Sequence, residues 1–323
     1  MKIQMYRLIK LFLLVIFSFL SFTACHQSGS QNVGVSSTPS ECRVVQHKLG
    51  EACIPINPKR IVLLEDRFMP DALLSLGIKP IGITFSSYEG KQMHFGLSNE
   101  EIAEIEIVGD RDQPSLEKIL TLKPDLILSS FEYVKQTYSQ LSGIAPTVIV
   151  EIDELRISIK DNFRAIAKVL EKEKKAEEVL AQYQKRVEEL RERIGDQLQD
   201  IEVSFIVHYA SYGALYEKPA SSAPFFQVLN DVGINIKPIF LKENKWTNFS
   251  VEVINKYDAD ILFILNPDNK PLSYFLQNPF ISSLKAAKAQ RLYAVDPTIW
   301  MPYGPLGMNK LLDELPQYLL EGT

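Results

Sequence analysis

The stretch SLEKILTLKPDLIL (115–128) returns, at a constant offset of 135 residues, as SVEVINKYDADILF (250–263). Ser115 and Ser250, Glu117 and Glu252, Ile119 and Ile254, and Asp125 and Asp260 are identical, and apolar residues fall opposite apolar ones at 116/251, 126/261, 127/262 and 128/263. A chain that writes one phrase twice at this spacing is constrained to fold as two related units. In each copy a Ser can cap a helix and a Glu follows in the first turn, where negative charge suits the helix dipole. The helix then runs into Pro/Ala-Asp and a buried strand. Capping alone accounts for both glutamates at this level.

Short apolar runs bounded by Pro and Gly alternate with helical patterns on either side: RIVLL (60–64), IKPIGIT (78–84), PDLILSS, APTVIV, EVSFIVHY, ADILFIL and RLYAVD. Strand, helix, strand in that order calls for parallel α/β layers. Between the copies, KEKKAEEVLAQYQKRVEELRERIGDQL places Ala176, Val179, Leu180, Tyr183, Val187, Leu190 and Ile194 at helical spacing, with no Pro or Gly before Gly195. From Glu173 to Ile194 this makes a helix of about 33 Å. The expected fold is two α/β lobes with mostly parallel sheets, joined by that helix.

The first 24 residues stand apart. Lys2, Arg7 and Lys10 precede the apolar run LFLLVIFSFLSF, which is too short for a mature membrane span and reads as an export signal. FTAC then sets small Thr23 and Ala24 before Cys25, the pattern of a bacterial lipobox, in which the cysteine takes a diacylglycerol and becomes the new N-terminus. The polar stretch HQSGSQNVGVSSTPSE that follows suits a tether, with a coil span of roughly 20 Å. Loss of residues 1–24 takes the formal charge from −5 to −8, and so acidic a protein is not a nucleic-acid binder. After lipidation of Cys25 only Cys42 and Cys53 remain, in CRVVQHKLGEAC, where a hairpin would bring them together; outside the cytoplasm they are expected as a disulfide.

Catalytic signatures are missing. The chain has no G-x-S-x-G, H-E-x-x-H, Walker A or G-x-G-x-x-G sequence, and His47, His94 and His208, beyond His26 in the tether, lack metal-ligand spacing. A binding module is favoured over an enzyme, and direct capture of a metal ion is demoted. No resident cofactor is expected.

VQHKLGEACIPINPKRIVLL, LLSLGIKPIGIT, VGDRDQPSLEKILTLKPDLIL and WMPYGPLGMNKLLDELPQYL resemble, in that order, the substrate-binding lipoproteins of ABC importers for ferric siderophores, the helix-linked class that also includes cobalamin binders. The resemblance runs from about Cys42 to the C-terminus. It implies a signal peptide (1–24), a lipidated tether (25–41), an N-terminal lobe (42–158), a helical linker (159–195) and a C-terminal lobe (196–323). It also implies a monomer held on the outer face of the cytoplasmic membrane, with a ferric siderophore, hydroxamate or citrate in type, in the cleft between lobes. Glu117 and Glu252 match the two glutamates that such proteins offer to arginines of the permease, which works with its ATPase. Other readings are a cobalamin or haem carrier of the same fold, or, from another class, an exported α/β enzyme or a direct metal binder.

Arg111 stands where ferric-hydroxamate binders of this class carry an arginine on a loop entering the cleft; the alternative is a surface arginine paired with Asp110 or Asp112. A guanidinium suits the oxygens around chelated iron, donating several hydrogen bonds without giving up its charge. Tyr133 falls near a family pocket tyrosine. Arg67 follows the first strand and reaches either the cleft or its neighbours Glu65 and Asp66. From the second lobe Tyr209, Tyr212, Trp246, Trp300 and Tyr303 are candidates for aromatic walls, with Trp300 foremost.

Overall fold

The computed structural model describes residues 42–88, 91–152, 158–195, 201–209, 214–217, 223–237, 239 and 247–320; Cys25, Tyr212 and Trp246 lie outside them. The described residues belong to one compact unit. An antiparallel hairpin, β1 (Cys42–His47) and β2 (Gly50–Pro55), opens it, and Cys42 and Cys53 are joined across it as a disulfide with Cα atoms 5.5 Å apart.

The N-terminal lobe is a seven-stranded sheet of β3 (Ile61–Leu63), β4 (Gly82–Tyr88), β5 (Lys91–Met93), β6 (Glu106–Asp110), β7 (Gln113–Pro114), β8 (Leu126–Ser129) and β9 (Thr147–Ile149), in the order β7-β6-β4-β3-β8-β9 with β5 beside β4. β6, β4, β3, β8 and β9 run parallel. The C-terminal lobe has six: β10 (Glu202–Tyr209), β11 (Ala214–Glu217), β12 (Asn235–Ile236), β13 (Thr247–Phe249), β14 (Ile261–Leu265) and β15 (Leu292–Val295), in the order β13-β11-β10-β14-β15 with β12 beside β10. β12, β10, β14 and β15 are parallel, while β11 runs antiparallel to β10 and β13 antiparallel to β11. The principal helices are α1 (Phe68–Ser75), α2 (Leu116–Leu122), α3 (Ile159–Val169), α4 (Glu173–Ile194), α5 (Phe225–Val232) and α6 (Pro305–Leu320).

The continuous apolar runs follow from burial on both faces of each sheet. Ile61 and Leu63 of β3 point into one core, and Val62 with Leu64 into another, with Val108, Ile119 and Ile127. The first core is unbroken from the N-terminal lobe through α3, α4 and α6 into β10 and β14, so the lobes share it.

The repeated phrase has the same local anatomy in both lobes. Ser115 caps α2 and Ser250 caps a 3-10 helix, Val251–Tyr257. Asp125 then accepts the N–H groups of Lys59 (2.8 Å) and Arg60 (2.9 Å) at the entrance to β3, and Asp260 accepts that of Glu202 (2.8 Å), the first residue of β10. Each aspartate fixes the register between its own strand and the first parallel strand of its lobe.

α4 spans the range that its spacing requires and buries Ala176, Leu180, Tyr183, Val187, Leu190 and Ile194. The Tyr183 hydroxyl donates to Asp231 after α5's first turns (2.9 Å), and Asp231 also pairs with Lys160 of α3 (2.8 Å). Arg186 reaches Asn309 (2.6 Å) and Asp313 on α6.

α6 in turn starts on the N-terminal lobe. The buried Asp71 carboxylate on α1 accepts the N–H groups of Leu306 (2.9 Å) and Gly307 (2.8 Å), filling the positive helix start that a terminus leaves open. Gly304 makes this approach possible, because a Cβ there would sit inside the Asp71 carboxyl. Gly304→Ala is expected to destabilise the fold by about 3 kcal/mol or more through overpacking against a buried charge. Denaturant unfolding of the variant checks this; a loss below about 1 kcal/mol would mean that α1 and α6 separate freely.

Candidate functional site

Because β3, β6 and β8 are parallel, their C-terminal ends lie along one edge of the sheet, the edge where open α/β proteins hold ligands. Arg67 comes shortly after β3, Arg111 directly after β6, and Tyr133 after β8 in a one-turn helix, Phe131–Val134. The Arg111 loop is pinned at its base. Gly109 has φ +119°, where a Cβ would crowd Gln113 and Ser115; the Arg111 N–H donates to Phe85 of β4 (2.9 Å), and Asp110 accepts the Asp112 N–H (2.9 Å).

The three side chains meet. Arg67 Nη2 donates to the Tyr133 hydroxyl (2.7 Å), and the Arg111 guanidinium lies 4.9 Å from the centre of the Tyr133 ring. The ring is thus held between two cations, one on its hydroxyl and one on its face. Arg67 is also 5.8 Å from the rings of Phe68 and Tyr303. Both arginines keep part of the side chain exposed, 17% and 24%.

Two buried carboxylates underlie them. Glu65 accepts the N–H groups of Arg67 (3.0 Å), Phe68 (2.9 Å) and Met69 (3.0 Å) at the start of α1, and lies 3.6 Å from Arg67 Nε. Asp66 accepts from Ser86 and lies 3.4 Å from Arg111 Nη1. Arg111 is also 3.8 Å from Asp112, so its local pairing and its place in the cluster coexist. Burial pushes Glu65 up to about 7 against the pull of Arg67, and holds the nearby His94 imidazole below its ordinary value, with Asp66 opposing.

Tyr303 joins this cluster from the C-terminal segment, edge-on to Phe68 (5.0 Å) and Phe95 (5.6 Å). Its hydroxyl, pushed up to about 12 by burial, stays protonated. At 5% exposure it supports Arg67 from behind and does not form a wall. Trp300 is a clear correction. It is fully buried, lying on Phe263 (4.4 Å) and Phe205 (5.9 Å), and its indole N–H donates to Glu314 (2.8 Å). The one polar atom that could have turned it outward is used inside the lobe. Tyr209 ends β10 half-buried and does not line the pocket of about 800 Å³ in this lobe, whose walls include His208, Asn248, Phe249, Ser250, Tyr274 and Asn278. Among the described residues no Arg or Lys lines it.

Residues 91–298 match the periplasmic binding protein family. The chain belongs to that family. The probable siderophore-binding lipoprotein YfiY of Bacillus subtilis (strain 168) is 33% identical over 97% of this chain and 98% of its own. The Fe(3+)-citrate-binding protein YfmC of the same organism is 31% identical over 91% of each. Staphylococcus aureus SirA, in its crystal structure with staphyloferrin B, superposes with a TM-score of 0.67 at 27% identity, covering 86% of this chain and 98% of that one.

In this periplasmic binding protein Glu117 and Glu252 are exposed, and among the described residues neither carboxylate makes a hydrogen bond or ion pair. Ser86, bonded to Asp66, and Phe95, packed on Tyr303, back the cluster and carry no motif that would single them out in the sequence. A polar Ser-Ser pair ending the apolar strand β4 is the one visible trace.

The buried acids link stability to pH. Glu65 at about 7 and Asp71 at about 6 both hold protons more tightly in the fold than at their ordinary values of 4.5 and 3.8. Their contribution is fully present below about pH 4 and is lost as pH rises through 6 and 7, each at up to about 1.4 kcal/mol per pH unit. Glu65→Gln is expected to flatten this decline. Unfolding of both proteins between about pH 5 and pH 8 tests it, and equal slopes would show that Glu65 ionises as an ordinary carboxyl.

Proposed function

We propose that this chain is a lipid-anchored, extracytoplasmic binding protein that captures a ferric siderophore of hydroxamate or citrate type between its lobes and delivers it to an ABC permease. The observation that carries this reading is the cluster of Arg67, Arg111 and Tyr133 on the ligand-binding edge of the N-terminal sheet. Two guanidiniums flanking a tyrosine offer a fork of donors to oxygen atoms around a metal that the chelator already saturates. Relatives named for siderophore and Fe(3+)-citrate binding support the same class. The C-terminal pocket, with its amides and rings, supplies neutral contact for the organic frame of the chelate. Cys25 carries the anchor, and the protein works as a monomer without covalent chemistry.

Tryptophan-fluorescence titration with ferric hydroxamates, ferric catecholates, ferric citrate, haem and cobalamin tests the ligand class. Arg111→Ala is expected to weaken the best-bound ferric siderophore by about 1.5–3 kcal/mol, the worth of a charged hydrogen bond, and to leave the protein folded. Unchanged affinity would return Arg111 to the surface residues.

Glu117 and Glu252 dock the permease in this reading. Two ion pairs at a fixed separation set register as well as attraction. The double variant Glu117→Gln/Glu252→Gln is expected to bind siderophore normally and to fail in supporting iron uptake by cells. If the glutamates only favour helix starts, the same variant loses less than about 1 kcal/mol of stability per site and transports normally. Normal uptake with normal binding rejects the docking role.

A further inference from the structure

We propose that Glu65 is a positioning residue that sets the charge of the arginine pair, and that capture of an anionic iron chelate is accompanied by uptake of a proton from solvent onto its carboxylate. The inference rests on the binding reading above and adds to it the sign of the ligand and a linked proton.

Arg67 and Arg111 stand over Glu65 and Asp66, and both carboxylates are buried, at 0% and 3% exposure. With all four groups ionised the cluster is neutral, and an approaching anion meets two cations whose field is already cancelled. With Glu65 protonated the cluster carries a single positive charge. Asp66 keeps two partners, Ser86 and Arg111. Glu65 has three backbone N–H groups holding its position and a guanidinium nitrogen at 3.6 Å, beyond hydrogen-bond range. Its carboxyl therefore stays in place while its charge depends on a pairing with Arg67 that a ligand would share.

Burial has already brought this carboxyl to about 7, so both forms are populated at neutral pH. A bound anion adds negative potential and draws on Arg67, and both effects favour the proton. By linkage, whatever raises proton affinity on binding makes binding weaken as pH rises. The other groups facing Glu65 are accounted for. Tyr303 stays protonated, the Tyr133 hydroxyl is held by Arg67, and Asp71 is engaged by α6. Among the described residues around it, two other groups titrate near this range: Asp71, brought by burial to about 6 and fixed on the start of α6, and His94, held below its ordinary value by burial with Asp66 opposing; loss of uptake in Glu65→Gln and its survival in His94→Gln separate Glu65 from both.

Calorimetric titration of the purified protein in phosphate and in Tris, near pH 7.5, counts protons directly. The anionic probes are ferric citrate and a ferric tris-catecholate, and ferrioxamine B is the cationic one. Uptake of about half a proton or more is expected with an anionic probe, with affinity about three- to tenfold weaker at about pH 8.5 than at about pH 7. Ferrioxamine B should take up less. Glu65→Gln should bind the anionic probe without uptake and without the pH dependence, and His94→Gln should keep both. Equal heats in the two buffers, uptake that survives Glu65→Gln, or uptake lost in His94→Gln would each overturn the proposal. Should Glu65→Gln fail to fold, the unaltered protein and His94→Gln still decide. Binding without a proton refutes this inference and leaves the binding function standing, whereas no binding of any probe removes both.

Discussion

A carboxylate taken out of water costs several kcal/mol unless hydrogen-bond donors or a cation replace its hydration. This chain buries three within seven residues of one another, Glu65, Asp66 and Asp71, directly after its first parallel strand. Each is satisfied from a different direction. Glu65 takes the N-terminus of α1, Asp66 takes Ser86 of β4 and Arg111 after β6, and Asp71 takes the N-terminus of α6 from the far end of the chain. Satisfying them therefore locates both arginines, the first helix and the last helix together. Loss of any one donor set leaves a buried charge unpaired, which is why this short segment governs so much of the architecture.

One consequence is that the C-terminal segment belongs mechanically to both lobes. α6 packs along α4, while its first residues are held by Asp71. Nearby, the Gly96 N–H donates to Thr298 (2.6 Å), and Lys310 bridges Glu101 and the Gly96 carbonyl. Tyr303 lies within this stretch and touches Phe68, Phe95 and Arg67. The support of Arg67 in the first lobe thus comes from residues that follow the last strand of the second. A shift between lobes at this junction would be felt at Arg67 through a ring contact, without any long relay.

The elements themselves were legible where pattern and burial agree. EVSFIVHY is β10 residue for residue, and the helix from Glu173 to Ile194 ends where Gly195, at φ +67°, stops it. IKPIGIT was less so, because the strand begins only at Gly82, after the proline has been passed. Of the candidate site, the meeting of Arg67, Arg111 and Tyr133 was legible because each follows a recognisable strand of a parallel sheet. Trp300 could not be placed correctly, since a tryptophan near a strand end reads the same whether its N–H finds Glu314 inside the lobe or a ligand outside. The buried acids were equally opaque. EDR looks like a local ion pair, and only the fold reveals that neither carboxylate reaches solvent.

The repeated phrase separates what folding requires from what it does not. Of its four identities, Ser115 and Ser250 cap their helices, and Ile119 and Ile254 are buried at 0% and 1%. Asp125 and Asp260 each fasten the first parallel strand of their lobe. Those three pairs recur because two similar lobes face the same packing problem twice. Glu117 and Glu252 differ: both are exposed, their serines already supply the caps, and neither carboxylate makes a hydrogen bond or ion pair among the described residues. A favourable dipole term of a few tenths of a kcal/mol would be served as well by Asp, or by a glutamate one turn position away. One residue type recurring at one position in both lobes, with neither carboxylate in a hydrogen bond or ion pair among the described residues, is the observation on which the proposed docking role rests.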